Sequence, residues 1–429
     1  MTTTTADLGI PAHKRCPPLE APCEQLLPGI SNDITLNEIV PKVKAKMFSV
    51  LKKVSHGWYN AIRTRQVYDA RVCAHSTETF ILFDHFKVYE DKGVSEEYFK
   101  AISLYSVKEK VVHELPPIPN VAGGIPVSCQ CVSLEGKIYV MGGRVVYLFG
   151  TGTNKVYVLD MVEEICWKEC ASMKEPREEF GCGVLDGKIY VFGGFYENEP
   201  VSGSEVYDPK QNTWNPIMPM NSLRFAHLVG VSGDELLLHT GKVEYFGYTI
   251  RHLPEHMDLG PPDCFDWAHP SHLEDPFVSR DVNVRDACSL EFYHPVEDKW
   301  RVVKLSRRPQ GVGFVAQGKL HSLNGDGIHV YDVDTNSWRK LHSCSFPTFG
   351  PVRDRIVVPL AVVAVEEDEI LALVNVFGLE NEDDDGQHLL RGKGLGTESM
   401  EEILFPPACL EYAKWPDGQI RYCMYPIQL

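Results

Sequence analysis

His252, His256, Cys264, His269 and His272 fall within one stretch of this 429-residue chain and are residue types that hold metal; their H-x3-H and H-x2-H spacings are ones zinc can use. The paired cysteines of a structural zinc site are missing, however. The surrounding segment, 242–287, is rich in Pro, Asp and Gly, so it reads as a solvated loop with incidental histidines. Cys166-x3-Cys170 and Cys129-x-Cys131 lie in or beside apolar runs with no histidine nearby, as small buried thiols do. The acidic run ENEDDDG at 380–386 has no Gly at the sixth and no Glu at the twelfth position from Asp383, which a calcium loop would need. There is no G-x-S-x-G, no phosphate loop and no H-E-x-x-H. The sequence therefore assigns no catalytic residue, no metal site and no cofactor.

A second set of residues suits recognition rather than catalysis. Arg177 and Arg224 each follow a tryptophan by ten residues, and Arg308 follows Trp300 by eight. Guanidinium groups bind carboxylates in a planar fork and are enriched at interface hot spots. The competing reading pairs them with nearby acids such as Glu178 and Glu179. Tyr147, Phe149, Phe195 and Tyr196 are aromatic anchors in neighbouring segments of the same kind.

What positions these residues is a repeat. GKIYVMGG begins at Gly136 and GKIYVFGG at Gly187, each preceded by an apolar run and a turn (Glu135-Gly136, Asp186-Gly187). After each double glycine (Gly142-Gly143, Gly193-Gly194) come a loop, a strand-like run holding Tyr157 or Tyr207, and then Trp167 or Trp214. Weaker copies carry Tyr293 with Trp300 and Tyr331 with Trp338. Tyr105 near the start and Tyr412 near the end fill the same slot, giving six units of four short strands. The aromatics at this spacing read as core, and so report fold rather than function. A period of about 50 residues marks units that bury their faces against one another.

With 44% apolar residues the chain can bury a large core. A net charge of -17 argues against a broad phosphate-binding surface, so no nucleic-acid partner is expected. No run approaches 18 uncharged apolar residues, so no membrane partner is expected, and MTTTTADLGIPAHKRCPP has no signal-peptide core. Together with thirteen scattered cysteines, this suggests a soluble protein of the cytoplasm, the nucleus or both.

Residues 1–24 read as a flexible leader. From 25 to 72 the period changes. Ile34, Ile39, Val40, Val43, Met47, Val50, Leu51, Val54, Trp58, Ala61 and Ile62 recur at steps of three and four, as on a helical stripe, with Ser31, Asn32 and Asp33 where an N-cap is wanted. Pro41 and His56-Gly57 interrupt the stripe, so three short helices are expected.

The double glycine, Tyr and Trp, in four-stranded units over 76–429, resemble the kelch repeat. That resemblance implies an all-β propeller, with six blades expected, or five if the N-terminal strands pack elsewhere, and with long insertions at 242–287 and 377–406. The loops after the double glycine and after the tryptophan strand (144–154, 195–203, 242–287, 377–406) would crowd one rim, making Arg177, Arg224, Arg308, Tyr147, Phe195 and Tyr196 candidates for a substrate face. Leu27-Pro28, Asp33-Ile34, Ile39, Val50-Leu51 and Val54-Ser55-His56-Gly57-Trp58 resemble the F-box. This order, an F-box ahead of kelch repeats, is similar to that of plant F-box/kelch-repeat proteins. The resemblance implies that Leu27, Pro28, Ile30, Asp33, Ile34, Ile39, Val50 and Leu51 contact a Skp-type adaptor, and through it a cullin, while the propeller holds an unknown protein substrate for ubiquitination. On this reading the chain is a non-catalytic adaptor. A kelch scaffold outside any ligase, or a propeller enzyme, are the alternatives. Where this chain has Ile30-Ser31-Asn32-Asp33, plant F-boxes usually read LPDD, and a basic pair usually stands at His56-Gly57.

Overall fold

The computed structural model describes residues 25–43, 47–91, 94–106, 111–121, 125–126, 128–144, 152–162, 166–197, 199–220, 227–240, 289–306, 311–324, 327–344, 355–365, 369–378, 386–393, 395, 400–403 and 418–428. Its main division falls between Thr77 and Glu78. A helical unit precedes that point and a β unit follows it.

Six four-stranded antiparallel sheets, or blades, make up the β unit. The second comprises Gln130–Leu134, Lys137–Met141, Val156–Asp160 and Trp167–Glu169; the third, Gly181–Leu185, Lys188–Phe192, Ser204–Asp208 and Thr213–Ile217. The fourth comprises His227–Ser232, Glu235–Thr240, Ser289–His294 and Lys299–Lys304; the fifth, Val312–Ala316, Lys319–Asn324, Gly327–Asp332 and Ser337–His342. The sixth holds Arg355–Val365, Glu369–Gly378, Gly386–Gly392 and Glu401–Ile403. The first blade is composite: the C-terminal strand Gly418–Gln428 lies beside Thr79–Asp91, followed by Val94–Ser106 and Val111–Glu114. The leading strand of every blade touches that of the next, and Gly418–Gln428 touches both Arg355–Val365 and Gln130–Leu134, so the circuit closes at six.

Two sequence expectations change here. The segment 377–406 is not one insertion, because Gly386–Gly392 and Glu401–Ile403 are the third and fourth strands of the sixth blade. Leu390, buried in that third strand, packs there with Ile370 and Ala372, whereas Tyr412 lies outside the described residues. Without Tyr, Trp or double glycine, this blade carries none of the marks by which the others were recognised.

The repeated aromatics are tied together by polar bonds that recur from blade to blade. The Tyr207 and Trp214 ring centroids are 5.0 Å apart, Tyr293 and Trp300 5.0 Å, and Tyr331 and Trp338 5.3 Å. Between each pair lies an Asn or Asp with φ near +50°: Asn212, Asp298 and Asn336. Tyr207 donates to Asn212 Oδ1 at 2.8 Å and Tyr293 to Asp298 Oδ1 at 2.7 Å, and Tyr331 bonds Asn336 in the same way. Each of these oxygens also accepts a backbone N–H from the preceding blade's end: Ala171 at 2.8 Å, Met218 at 2.7 Å and Ser306 at 2.9 Å. The tryptophan completes the clamp, since Trp214 Nε1 donates to the Ala171 carbonyl and Trp300 Nε1 to that of Met218. Burial, first among the causes, raises the Tyr207 and Tyr293 pKa values, so both hydroxyls remain donors.

The double glycines are steric. Gly142 (φ +62°) and Gly194 (φ +89°) occupy the left-handed region, and a Cβ would sit 2.4 Å from the Arg177 carbonyl oxygen at Gly142 and 2.6 Å from that of Glu178 at Gly194.

In the helical unit, Asn32–Ile34 continues through Thr35–Ile39 to Val40–Lys42; Phe48–Leu51, His56–Ala61 and Arg65–Cys73 follow. Ser31 and Ser55 cap their helices by accepting from Ile34 N and Trp58 N. The chain therefore breaks before His56, which opens a helix rather than ending one. Leu26, Leu36, Val40, Trp58, Ala61, Ile62 and Val67 form the unit's core. Buried Arg71 fastens the last helix by donating to the carbonyls of Val43 (3.0 Å) and Ser76.

Asn212→Ala removes the acceptor for two donors and places a Cβ residue with no local side-chain bond at positive φ. The expected loss of stability is about 2–4 kcal/mol, with Asn212→Gly losing roughly 1 kcal/mol less, as read from urea unfolding. His321, buried and stacked 5.3 Å from Phe314, has its pKa lowered by burial, against a hydrogen bond to the Lys319 carbonyl. Its contribution is fully present above the unfolded value near 6.5 and declines as pH falls from there toward the lower folded pKa. Unfolding midpoints should therefore drop on acidification, and less so in His321→Tyr, the residue at the matching position in the second and third blades.

Candidate functional site

Two regions present side chains suited to recognition, one in each unit. In the helical unit, Leu27-Pro28-Gly29-Ile30 forms a tight turn closed by Ile30 N donating to the Leu27 carbonyl at 3.1 Å, with Gly29 at φ +80° as a type II turn requires. Leu26 N donates to Asn32 Oδ1 at 2.9 Å, fixing this turn against the first helix. Pro28, Asp33, Ile34 and Val50 are exposed, while Leu27, Ile30, Ile39 and Leu51 are half-buried; Leu27 and Leu51 pack on the core.

The helical stripe in the sequence splits in two. Leu36, Val40, Trp58 and Ile62 point inward, whereas Met47, Val50 and Val54, spaced by three and four, are 42%, 51% and 60% exposed, and Ile34 is 49% exposed. Large aliphatic side chains so open to water on a unit this small call for a partner. Met47 and Val54 escaped sequence reasoning because helical spacing reports a shared face and not which way that face looks.

In the β unit, the two loops that follow double glycines meet. Arg144 bridges to Gly152, and the Thr153 N–H donates to the Gly143 carbonyl at 2.8 Å. Phe195–Tyr196 pairs with Glu199–Pro200 as a short ribbon, and Phe195 exchanges two main-chain bonds of 2.9 Å with Glu178. Arg144 is ion-paired with Glu178, itself nearly buried, and the Tyr196 ring lies 3.3 Å from where a Cβ on Gly152 would stand. Phe195 and Tyr196 are half-buried. They form a firm, partly apolar ledge with Glu197 and Glu199 exposed beside it.

Arg177 is not part of any surface. It is 0% exposed, and its guanidinium donates to the carbonyls of Gly193 and Gly203 at 2.9 Å each and to Glu205 Oε1 at 2.7 Å. Burial lowers its pKa while Glu205 opposes that shift. Glu205 also accepts the backbone N–H groups of Lys174 and Glu175, so this pair ties the loop entering the third blade to its third strand. The partner is Glu205, not Glu178 or Glu179. Its signal in the sequence is an acid two residues before the repeat tyrosine. Arg224, Arg308, Tyr147, Phe149, Tyr412 and the histidine-bearing segment 242–287 lie outside the described residues. Among the described residues, no group of three His, Cys, Asp or Glu is placed to hold a metal ion, and no helix is long and apolar enough to cross a membrane.

With this geometry in place, comparisons with known proteins give it a context. The kelch motif matches residues 126–174 and 176–221, the second and third blades. A protein of Arabidopsis thaliana named for an F-box and kelch repeats is 30% identical over 50% of this chain and 54% of its own length. The F-box/kelch-repeat protein SKIP30 of the same plant is 28% identical over 50% of this chain and 61% of its own, and Kelch-like protein 26 of Danio rerio is 24% identical over 56% and 44%. The chain thus spans about half the length of the curated relatives it matches. A fungal alcohol oxidase of the AA5 family, solved in complex with copper, aligns over 33% of each chain at 21% identity with a TM-score of 0.30, a likeness too slight to bear on fold or chemistry.

Arg177→Ala strands the Glu205 carboxylate among buried groups. A loss of about 3–5 kcal/mol is expected in denaturant unfolding, the cost of breaking a buried ion pair from one side. A fall in partner affinity with unchanged stability would return Arg177 to the surface role.

Proposed function

We propose that this chain, a kelch-repeat protein related to plant F-box/kelch-repeat proteins, is the substrate-recognition subunit of a Skp-cullin-F-box ubiquitin ligase. The helical unit, 25–72 with the last helix running to Cys73, binds a Skp-type adaptor and through it a cullin, and the propeller holds the protein to be ubiquitinated. On this reading the chain performs no catalysis, carries no cofactor and works in the cytoplasm or nucleus. The observation that carries the proposal is the exposure of Ile34 and Val50, both among the residues that the F-box resemblance assigns to the adaptor, together with Met47 and Val54. Their burial against a partner removes from water an apolar surface that the chain alone leaves wet. A substrate would meet the side where Arg144, Phe195 and Tyr196 lie, because there loops are held by main-chain bonds to two blades.

The test is co-purification with a plant Skp adaptor, comparing wild type with Ile34→Glu/Val50→Glu. Both side chains are exposed, so the far-UV spectrum and the unfolding midpoint should not change. Retention of the adaptor should fall by well over tenfold, since two buried apolar anchors replaced by carboxylates each cost roughly 2 kcal/mol or more. If wild type retains no adaptor, the ligase reading fails and the chain acts as a kelch interaction scaffold. If the double variant binds as well as wild type, the adaptor sits on another face.

A further inference from the structure

The outer strands of the fourth and fifth blades, Lys299–Lys304 and Ser337–His342, are the last of their sheets, so among the described residues each has one edge without a strand partner. The end of one also lies near the start of the other. The chain leaving the first at Ser306 donates its backbone N–H to Asn336, which stands at the start of the second. At roughly 20 Å per six-residue strand, they offer two adjoining open edges on the outside of neighbouring blades. Lys299, Arg301, Lys304, Arg339, Lys340 and His342 are exposed along them, and neither strand contains an acid. Lys299 and Arg301 are partly offset by Glu297 and Glu235. Lys304 and Arg339 make no ion pair among the described residues.

Cations on an edge strand can serve only to keep it from pairing with other sheets. That role does not explain their distribution in this ring. The outer strand of the third blade, Thr213–Ile217, contains no charge and is protected by Pro216; that of the second is three residues long, and its Glu169 pairs with Lys155. Edge protection is thus achieved elsewhere without a run of cations, and in a chain of net charge -17 a run of five Lys and Arg in two consecutive outer strands is a local reversal of sign. Val302, 48% exposed, and half-buried Trp300 and Trp338 add apolar contact on these strands.

We infer that these edges are a docking site for an acidic, extended segment of a partner protein, which adds alongside the open strands and places its Asp and Glu side chains against Lys304, Arg339 and Lys340. Backbone groups on the free edge supply hydrogen bonds to an added strand, and the cations select its sequence. None of these residues belongs to the helical unit or to the Arg144–Tyr196 ledge, so the inference stands whether or not the ligase reading does.

The experiment measures fluorescence anisotropy of a labelled twelve-residue peptide of alternating Asp and Glu with the full chain at about 50 mM salt. A Gly-Ser peptide and a single-stranded DNA oligomer of equal length are run beside it, with wild type, Lys304→Glu/Arg339→Glu/Lys340→Glu and the corresponding triple Gln variant. The expected result is that wild type binds the acidic peptide, the Gln variant binds about tenfold more weakly, the Glu variant shows no binding, and added salt weakens the complex. Unfolding midpoints confirm that each variant is folded; if the Glu variant is not, the Gln variant decides alone. Equal binding of the acidic and Gly-Ser peptides overturns the inference, as does undiminished binding by the folded variants. Tighter binding of the DNA overturns the assignment to an acidic protein segment.

Discussion

The β unit depends on one pairing. Gly418–Gln428 must lie against Thr79–Asp91, in a register running from Thr79 opposite Gln428 to Tyr89 opposite Gly418. Without it, the first blade lacks its inner strand and the sixth has no neighbour on one side. Every blade buries one face on the blade before and one on the blade after, as the clusters joining Leu185 and Tyr190 to Leu236, or Leu237 to Leu320, show. A gap anywhere would therefore expose two such faces. Joining residues more than three hundred positions apart carries a large loop-closure cost, though one that grows only slowly with length. Contacts of this range also make folding slow, so the open ring is the stage at which its apolar faces are most at risk.

Closure sets the ring, and the Tyr-Asn/Asp-Trp clamps space it. One oxygen, on Asn212, Asp298 or Asn336, satisfies both its own blade's tyrosine and the preceding blade's last backbone N–H. The tryptophan then returns a bond to the same preceding residue at Ala171 and Met218. Polar groups that would otherwise be buried unpaired are thereby used to hold one blade's exit against the next blade's turn. The second blade departs from this. There Leu159, not Tyr157, stands opposite Trp167 and Ile138, the row that Tyr207 holds in the third blade, so no tyrosine hydroxyl is present to be held, yet Trp167 Nε1 still reaches back to the Pro116 carbonyl at 2.7 Å.

How much of this was legible depended on whether a residue's type or its direction carried the information. Aromatic and glycine repeats marked the second to fifth blades because only those types fill or clear the wedge between sheets. The sixth blade has no tyrosine or tryptophan, so its first two strands were legible as apolar runs while its third and fourth were read as an insertion. Spacing placed Arg177 at the entrance to a blade, which is where it lies, but spacing does not tell whether a guanidinium faces water or a carboxylate. Glu205, two residues before Tyr207, decides it. Glu291 occupies the same slot before Tyr293 and is likewise buried, whereas His329 stands there before Tyr331, so the acid marks the third and fourth blades. In the helical unit one period covered both the buried Val40, Trp58 and Ile62 and the exposed Met47, Val50 and Val54, so spacing alone did not separate the two faces; Val50 was assigned to a partner only through the F-box resemblance.

The same distinction orders the charges of the molecule. Arg177, at the entrance to the third blade, faces Glu205, is buried, and has no capacity left for a partner. Residues 25–77 hold eight Lys and Arg against three Asp and Glu in a chain that is acidic as a whole, but there Arg65 pairs with Asp69 and Arg71 is buried against main-chain carbonyls; the outer strands Lys299–Lys304 and Ser337–His342 contain no acid of their own. Where the fold supplies no internal partner, long side chains remain hydrated and their pairing with a visiting carboxylate carries little desolvation cost. Charge buried within the blades therefore stabilises the ring, and exposed charge on its outer edge, as at Lys304 and Arg339, is what remains available to select partners.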